Sequence, residues 1–149
     1  MKKIFILLAV FPLFIFCNSN DDVVVENEEV QVSLLGTWLY IAGRDNNDAP
    51  PIPPDELPFI EYYSENTVTF NADSTIVSNS ASLCFNTHIK YPNGTQGVYT
   101  LVDSTYNSND CLPYPNYRYH FTQTDSILII SYPYNGISEG KFKKIADIE

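Results

Sequence analysis

Helical periodicity is missing from this chain. Past the first 16 residues, no segment places apolar side chains at i, i+3, i+4 and i+7 over helical length, which leaves β-structure as the means of burying a core. Positive charge is scarce: 8 Lys and Arg stand against 18 Asp and Glu, a formal charge of −10 that repels phosphate backbones and excludes a nucleic-acid partner. Three Cys are too few for a small disulfide scaffold, and two His leave little from which to build a zinc site. The six Gly and ten Pro follow no period, which excludes collagen-like repeats. A Gly-x-Ser-x-Gly elbow, a His-Glu-x-x-His pair and a phosphate-cradling Gly-rich loop are all absent, so no catalytic residue, cofactor or metal is assigned and the chain reads as a non-enzyme. What is present is a 44% hydrophobic and 14% aromatic content, enough for the core of one small domain.

The apolar residues are unevenly spread. Lys2 and Lys3 precede an apolar run, Ile4 to Phe16, that is shorter than the roughly 20 helical residues a bilayer requires. It has the form of a secretory h-region. The run stops at Cys17, and Asn18, Ser19, Asn20, Asp21 and Asp22 follow. This boundary resembles the lipobox of bacterial lipoproteins, and the resemblance implies that residues 1–16 are removed and that Cys17 becomes the diacylated N-terminus. Residues 17–33 then form a tether in which Asp21, Asp22, Glu26, Glu28 and Glu29 repel one another and extend the chain. The acidic cluster also resembles the surface-export signal of Bacteroidetes-type lipoproteins; a plain solvated linker is the other reading. The expected location is the cell envelope, as an outer-membrane lipoprotein on its periplasmic or surface face. The acyl anchor makes the membrane a partner, and other partners should be neutral, cationic or apolar.

Residues 34–149 read as a run of short strands. The candidates are Leu34–Ala42, Phe59–Tyr63, Thr67–Asn71, Ser74–Ser78, Ser82–Tyr91, Gly97–Asp103, Ser104–Ser108, Tyr117–Thr122, Ile127–Tyr132 and Ile137–Ile145. Turn chemistry separates them at Asn71-Ala72-Asp73, Pro92-Asn93-Gly94, Gln123-Thr124-Asp125 and Tyr134-Asn135-Gly136. Gly43 to Leu57 carries Pro50, Pro51, Pro53 and Pro54, which supply no ladder donor, and so reads as a long loop. Alternation puts Val68 with Phe70 on one face, and Tyr117, Tyr119 and Phe121 together on another inward face. Eight to ten antiparallel strands suit a barrel or a sandwich equally well.

A series of motifs favours the barrel. Leu35-Gly36-Thr37-Trp38, Phe70-Asn71-Ala72-Asp73-Ser74-Thr75, Cys84, Gly97-Val98-Tyr99, Cys111 and Phe142-Lys143-Lys144-Ile145 occur in that order. The series resembles the lipocalin-like domain lipoproteins of Bacteroidetes-type bacteria, in which Gly stands where this chain has Ser74. The resemblance implies an all-β, antiparallel up-and-down lipocalin-like β-barrel of about eight to ten strands, with Trp38 as core closing one end. The motifs of retinoid and pheromone carriers are not found, so those activities do not transfer.

In an oxidising compartment Cys84 and Cys111 are expected to pair, stabilising the fold by roughly 3.5 kcal/mol on the chain-entropy model. Tyr40, Tyr62, Tyr99, Tyr117, Tyr119 and Phe121 are the candidate ligand-binding residues; Tyr63 lies among them in sequence. Inward tyrosines either line an amphipathic cavity or fill a barrel that is just wide enough for side chains. Asp45-Asn46-Asn47-Asp48 offers oxygen ligands without the Gly and Glu of an EF-hand loop. Asp73-Ser74-Thr75, Asp103-Ser104-Thr105 and Asp125-Ser126-Ile127 resemble the O-glycosylation signal of Bacteroidetes-type exported proteins. Two functions stay open: a binding module holding a small apolar or amphipathic ligand or a glycan at the mouth, and a cell-surface interaction module with a filled barrel.

Overall fold

The structure is a computed structural model that describes residues 32–46, 57–89, 93–113, 115–133 and 136–148. The leader, Cys17, nearly all of the tether and the Pro-rich stretch 47–56 lie outside the described residues.

Among the described residues nine strands are formed: β1 (Gly36–Asp45), β2 (Ile60–Glu61), β3 (Thr67–Phe70), β4 (Thr75–Ser78), β5 (Thr95–Thr100), β6 (Thr105–Asn107), β7 (Tyr119–Thr124), β8 (Ile127–Ser131) and β9 (Ser138–Ala146). Each pairs antiparallel with its neighbour in the order β1-β3-β4-β5-β6-β7-β8-β9, and β9 pairs back onto β1. The result is a closed eight-stranded up-and-down barrel with β2 as one extra strand. Among the described residues there is no helix. The β1–β9 seam runs from Thr37↔Ala146 to Asp45↔Ser138 with register shifts between Thr37 and Trp38 and between Tyr40 and Ala42. β3 covers the first half of β1, Gly36 to Leu39, and β2 covers Ala42 and Gly43 in the second half.

This connectivity gives the barrel two unlike ends. The hairpins β3–β4, β5–β6 and β7–β8 turn tightly at one end, where β1 begins and β9 finishes. The strand ends that lead into the longer connections after β4, β6 and β8 lie at the other end, the mouth. Alternation puts Trp38, Val68, Phe70, Ile76, Leu128, Ile130 and Phe142 fully inside. Trp38 closes the tight end: its Nε1 donates to the Leu34 carbonyl at 2.9 Å, and the Lys144 ammonium lies 5.3 Å above its ring.

Two expected strands change character. The expected strand Ser82–Tyr91 does not form over its described residues, 82–89: residues 79–85 make bends and turns, because the Ser80 and Ser82 amides donate to the Ser78 and Ser80 hydroxyls of their own segment instead of to a ladder. β7 begins at Tyr119 and not at Tyr117, so Tyr117 escapes the alternation and is 42% exposed. Tyr119 and Phe121 do face inward.

The Asp-Ser-Thr repeats are turn devices. In the β3–β4 turn, Asp73 Oδ1 accepts from the Thr75 amide at 2.9 Å and the Thr75 hydroxyl at 2.6 Å, which holds the Asp73 carboxyl below the usual range. In the β5–β6 turn, Asp103 Oδ1 accepts from the Thr105 hydroxyl at 2.7 Å. Ser74 (φ 68°) and Ser104 (φ 51°) both sit in the left-handed region that favours glycine. Ser74→Gly and Ser104→Gly should therefore each raise unfolding stability by about 0.5 to 1 kcal/mol, read by chemical denaturation. An unchanged or lower midpoint in both variants would show that strain at these turns is not limiting.

Candidate functional site

Buried tyrosines need partners for their hydroxyls, and in this barrel the mouth provides three of them. Tyr106 donates to the Leu83 carbonyl at 2.6 Å, Tyr132 donates to the Ser82 carbonyl at 2.7 Å, and Tyr40 donates to Asn86 Oδ1 at 2.7 Å. Three rings from separate parts of the wall thus converge on residues 82–86. Asn86 completes its amide by donating to the Arg44 carbonyl at 3.1 Å. Gly43 makes the room, since a Cβ there would collide with the Tyr40 hydroxyl and the Asn86 side chain.

Residues 80–86 therefore form a stopper. Leu83 is completely buried, and a buried hydroxyl ladder links Ser78 to Ser80 at 3.1 Å and Ser80 to Ser82 at 2.7 Å. The Cys84–Cys111 disulfide, with Cα atoms 5.0 Å apart, ties the stopper to the β6–β7 connection. Fully buried Asn66 continues the closure, its Nδ2 donating to the carbonyls of Thr87 and Ile89, both at 3.2 Å.

Beneath the stopper the interior is packed with rings. Tyr106 stacks on Tyr119 at 5.0 Å, Tyr40 meets Phe142 edge-on at 5.3 Å, and Phe70 makes edge contacts with Tyr99 and Phe121 at 5.1 and 5.2 Å. Tyr99 donates to the Asn71 carbonyl at 2.7 Å. Burial, with the neighbouring phenols Tyr132 and Tyr119 adding to it, pushes the Tyr106 hydroxyl well above its ordinary range. Burial raises Tyr40 too, with Tyr62 adding to it, and raises Tyr99 beside Asp73.

The candidate residues thus divide. Tyr40, Tyr99, Tyr119 and Phe121 are core; Tyr117 lies outside, edge-on to Tyr119 at 5.2 Å; Tyr62 stands at the rim. Its ring stacks with Tyr40, centroids 6.3 Å apart, and with His88, parallel within 2° at 4.2 Å. The Tyr62 amide donates to the Ile41 carbonyl at 2.9 Å, which continues the β2 pairing along the edge of β1.

An open groove of about 540 Å³ results, lined by Ile41, Ala42 and Lys141 from the wall and by Phe59, Glu61, Tyr62 and Tyr63 from the β2 segment. Arg44 covers the Phe59 ring at 4.6 Å, and Lys141 lies 5.5 Å from it. Arg44 also forms an ion pair with Glu139 at 2.6 Å. Tyr63 is 96% exposed. Among the described residues, no group of three or more His, Cys, Asp or Glu is arranged to hold a metal ion. Of the Asp45–Asp48 oxygens, Asn47 and Asp48 lie outside the described residues.

Sequence reasoning passed over Phe59, Asn86, Tyr106, Tyr132 and Lys141. Strand alternation marks Tyr106 and Tyr132 as inward, but nothing local marks Asn86 as the partner of a residue 46 positions away. No protein-family model, curated protein or solved structure matches the chain.

The buried phenols fix an alkaline limit. With folded pKa values raised above about 10, their contribution to stability is fully present below pH ~10 and is lost as pH rises, because the unfolded chain releases these protons first. Tyr106→Phe should cost about 1 to 2 kcal/mol at pH 7 by leaving the Leu83 carbonyl unpaired, and should flatten the alkaline fall. Denaturant titrations between pH 7 and 11 read both effects. An identical alkaline slope in the variant would show that Tyr106 does not control it. Reducing Cys84–Cys111 should cost roughly 3.5 kcal/mol and raise amide exchange in residues 80–89 before it does so in β8 and β9.

Proposed function

We propose that this protein is a lipid-anchored, non-catalytic barrel of the cell envelope, lipocalin-like in kind, which holds a small amphipathic ligand in the groove beside its mouth. One observation carries the reading: the rings inside the barrel are packed and their hydroxyls are spent, whereas Tyr63 stands free beside an open groove of about 540 Å³, a volume suited to a small molecule. The ligand position differs from the barrel interior that the strand pattern suggests, and of the candidate tyrosines it retains Tyr62.

The opposite end of the barrel supports the anchor. Gln123 Nε2 donates to the Val32 carbonyl at 2.6 Å, and the Lys144 ammonium donates to the carbonyls of Ser33 and Leu35 while pairing with Asp147 at 2.7 Å. The chain thus meets the domain at the tight end. An acyl group on Cys17 would tether the domain through the segment that attaches at that end, on either face of the outer membrane. The alternative, a cell-surface protein-interaction module, is favoured by Ile60 (58% exposed) beside the groove and by Ile89 (60%) next to the stacked His88.

Native mass spectrometry of protein purified from its own host tests the reading, since it reports both the acyl mass and any retained small molecule. Cys17→Ser should abolish fatty-acid labelling while the protein is still made; labelling that survives would defeat the anchor. Tyr63→Ala should weaken retention of the co-purified molecule by about 1 to 3 kcal/mol, the value of one desolvated aromatic contact. Tyr119→Ala should lower stability and leave retention unchanged. The reverse pattern would return the site to the barrel interior.

A further inference from the structure

We propose that the groove takes a neutral pyranose saccharide, stacked on the Tyr63 ring and hydrogen-bonded at its edge by Glu61 and Lys141. The proposal rests on the groove being the ligand site.

The argument starts from which ring faces are open. Phe59 has the Arg44 guanidinium at 4.6 Å and the Lys141 ammonium at 5.5 Å. Tyr62 is already stacked with His88 at 4.2 Å and with Tyr40 at 6.3 Å. Tyr63, the next residue, is 96% exposed, so a complete aromatic face borders the groove with nothing stacked on it. The face of an aromatic ring is its negative side. The C–H bonds on one face of a pyranose are weakly positive and present a flat apolar patch of matching size, while its hydroxyls project from the rim.

The rest of the lining fits such a rim. Glu61 supplies a carboxylate acceptor and Lys141 an ammonium donor, over a floor made by Ile41 and Ala42. A sugar hydroxyl both donates and accepts, so one hexose can engage the two side chains together. An anionic ligand is disfavoured, because Arg44 is already paired with Glu139 and the chain carries a formal charge of −10. A long alkyl chain is disfavoured as well, because the groove is open to water and has charged groups in its wall, so little of the chain would be dried. A volume of about 540 Å³ accommodates one or two sugar rings.

The test titrates the full chain with neutral disaccharides, maltose, cellobiose and chitobiose, and in parallel with decanoate, following tyrosine aromatic resonances by NMR. Saturable millimolar binding of at least one disaccharide is expected, weakened about tenfold or more in Tyr63→Ala and largely kept in Tyr63→Phe, which preserves the ring face. Because Tyr63 is exposed, neither substitution should alter the melting temperature, so lost binding cannot be assigned to unfolding. Glu61→Gln should weaken binding less than Tyr63→Ala, since an amide oxygen still accepts. Decanoate binding at Tyr62 and Tyr63 without any disaccharide response would overturn the saccharide and leave the groove as ligand site. No response to either probe class would overturn both, and disaccharide binding unaffected by Tyr63→Ala would overturn the stacking geometry.

Discussion

Every structural choice at the mouth follows from the cost of burying a phenol hydroxyl without a partner, of the order of 1 to 3 kcal/mol each. A barrel wall cannot meet that need, since its carbonyls are committed to neighbouring strands. This chain fills its interior with tyrosines and folds one connection back over them, so that Leu83, Ser82 and Asn86 accept from Tyr106, Tyr132 and Tyr40. The connection must stay irregular to aim acceptors inward. The Ser78 and Ser80 hydroxyls, which accept from the amides of Ser80 and Ser82, and the hydroxyl bond between Ser80 and Ser82 allow it to do so while buried. The disulfide then holds in place a segment that has no ladder of its own.

Legibility in the sequence follows the range of the interaction. Strands with one dry face were readable because alternation is local: Val68 and Phe70 on β3, Tyr119 and Phe121 on β7, Leu128 and Ile130 on β8 are inward as the period of two requires. The β3–β4 turn was readable from Asn71-Ala72-Asp73 for the same reason. Ser82–Tyr91 was misread as a strand because what shapes it lies far away, in Tyr40, Tyr106, Tyr132 and Cys111. Tyr117 was misread because alternation was extended two residues past the start of β7, where the chain still belongs to the mouth. The groove was least legible: Tyr63 and Lys141 are 78 positions apart, and only the β2 pairing at Ala42 and Gly43 brings their segments to one surface.

The two ends of the barrel divide the charged groups by task. At the tight end, Lys144, a largely buried cation, gathers the carbonyls of Ser33 and Leu35, the Asp147 carboxylate and the Trp38 ring. One side chain thereby seals the end and fixes where the preceding segment attaches. Near the mouth, Arg44 is held by Glu139 and the Leu57 carbonyl and covers Phe59, so its charge is spent on docking the β2 segment against the wall. An Arg44 freed of Glu139 would convert a polar, neutral groove into a cationic one.

This arrangement also decides where binding can occur at low cost. A ligand entering the barrel would have to displace the stopper, surrendering three phenol hydrogen bonds worth about 0.5 to 1.5 kcal/mol each, with the disulfide still holding Cys84 in place. The packed rings below would have to move as well, at the further cost of disrupting a close-packed core. A ligand in the outer groove meets an aromatic face and two charged groups that are already positioned, and it leaves the barrel unchanged. Binding energy that an interior ligand would lose to reorganisation is retained as affinity in the groove. The same filling that makes the barrel rigid therefore leaves the outer wall as the place where the proposed ligand would bind at lower cost, where among the described residues β2 has no strand beyond it and Tyr63 is held out in solvent.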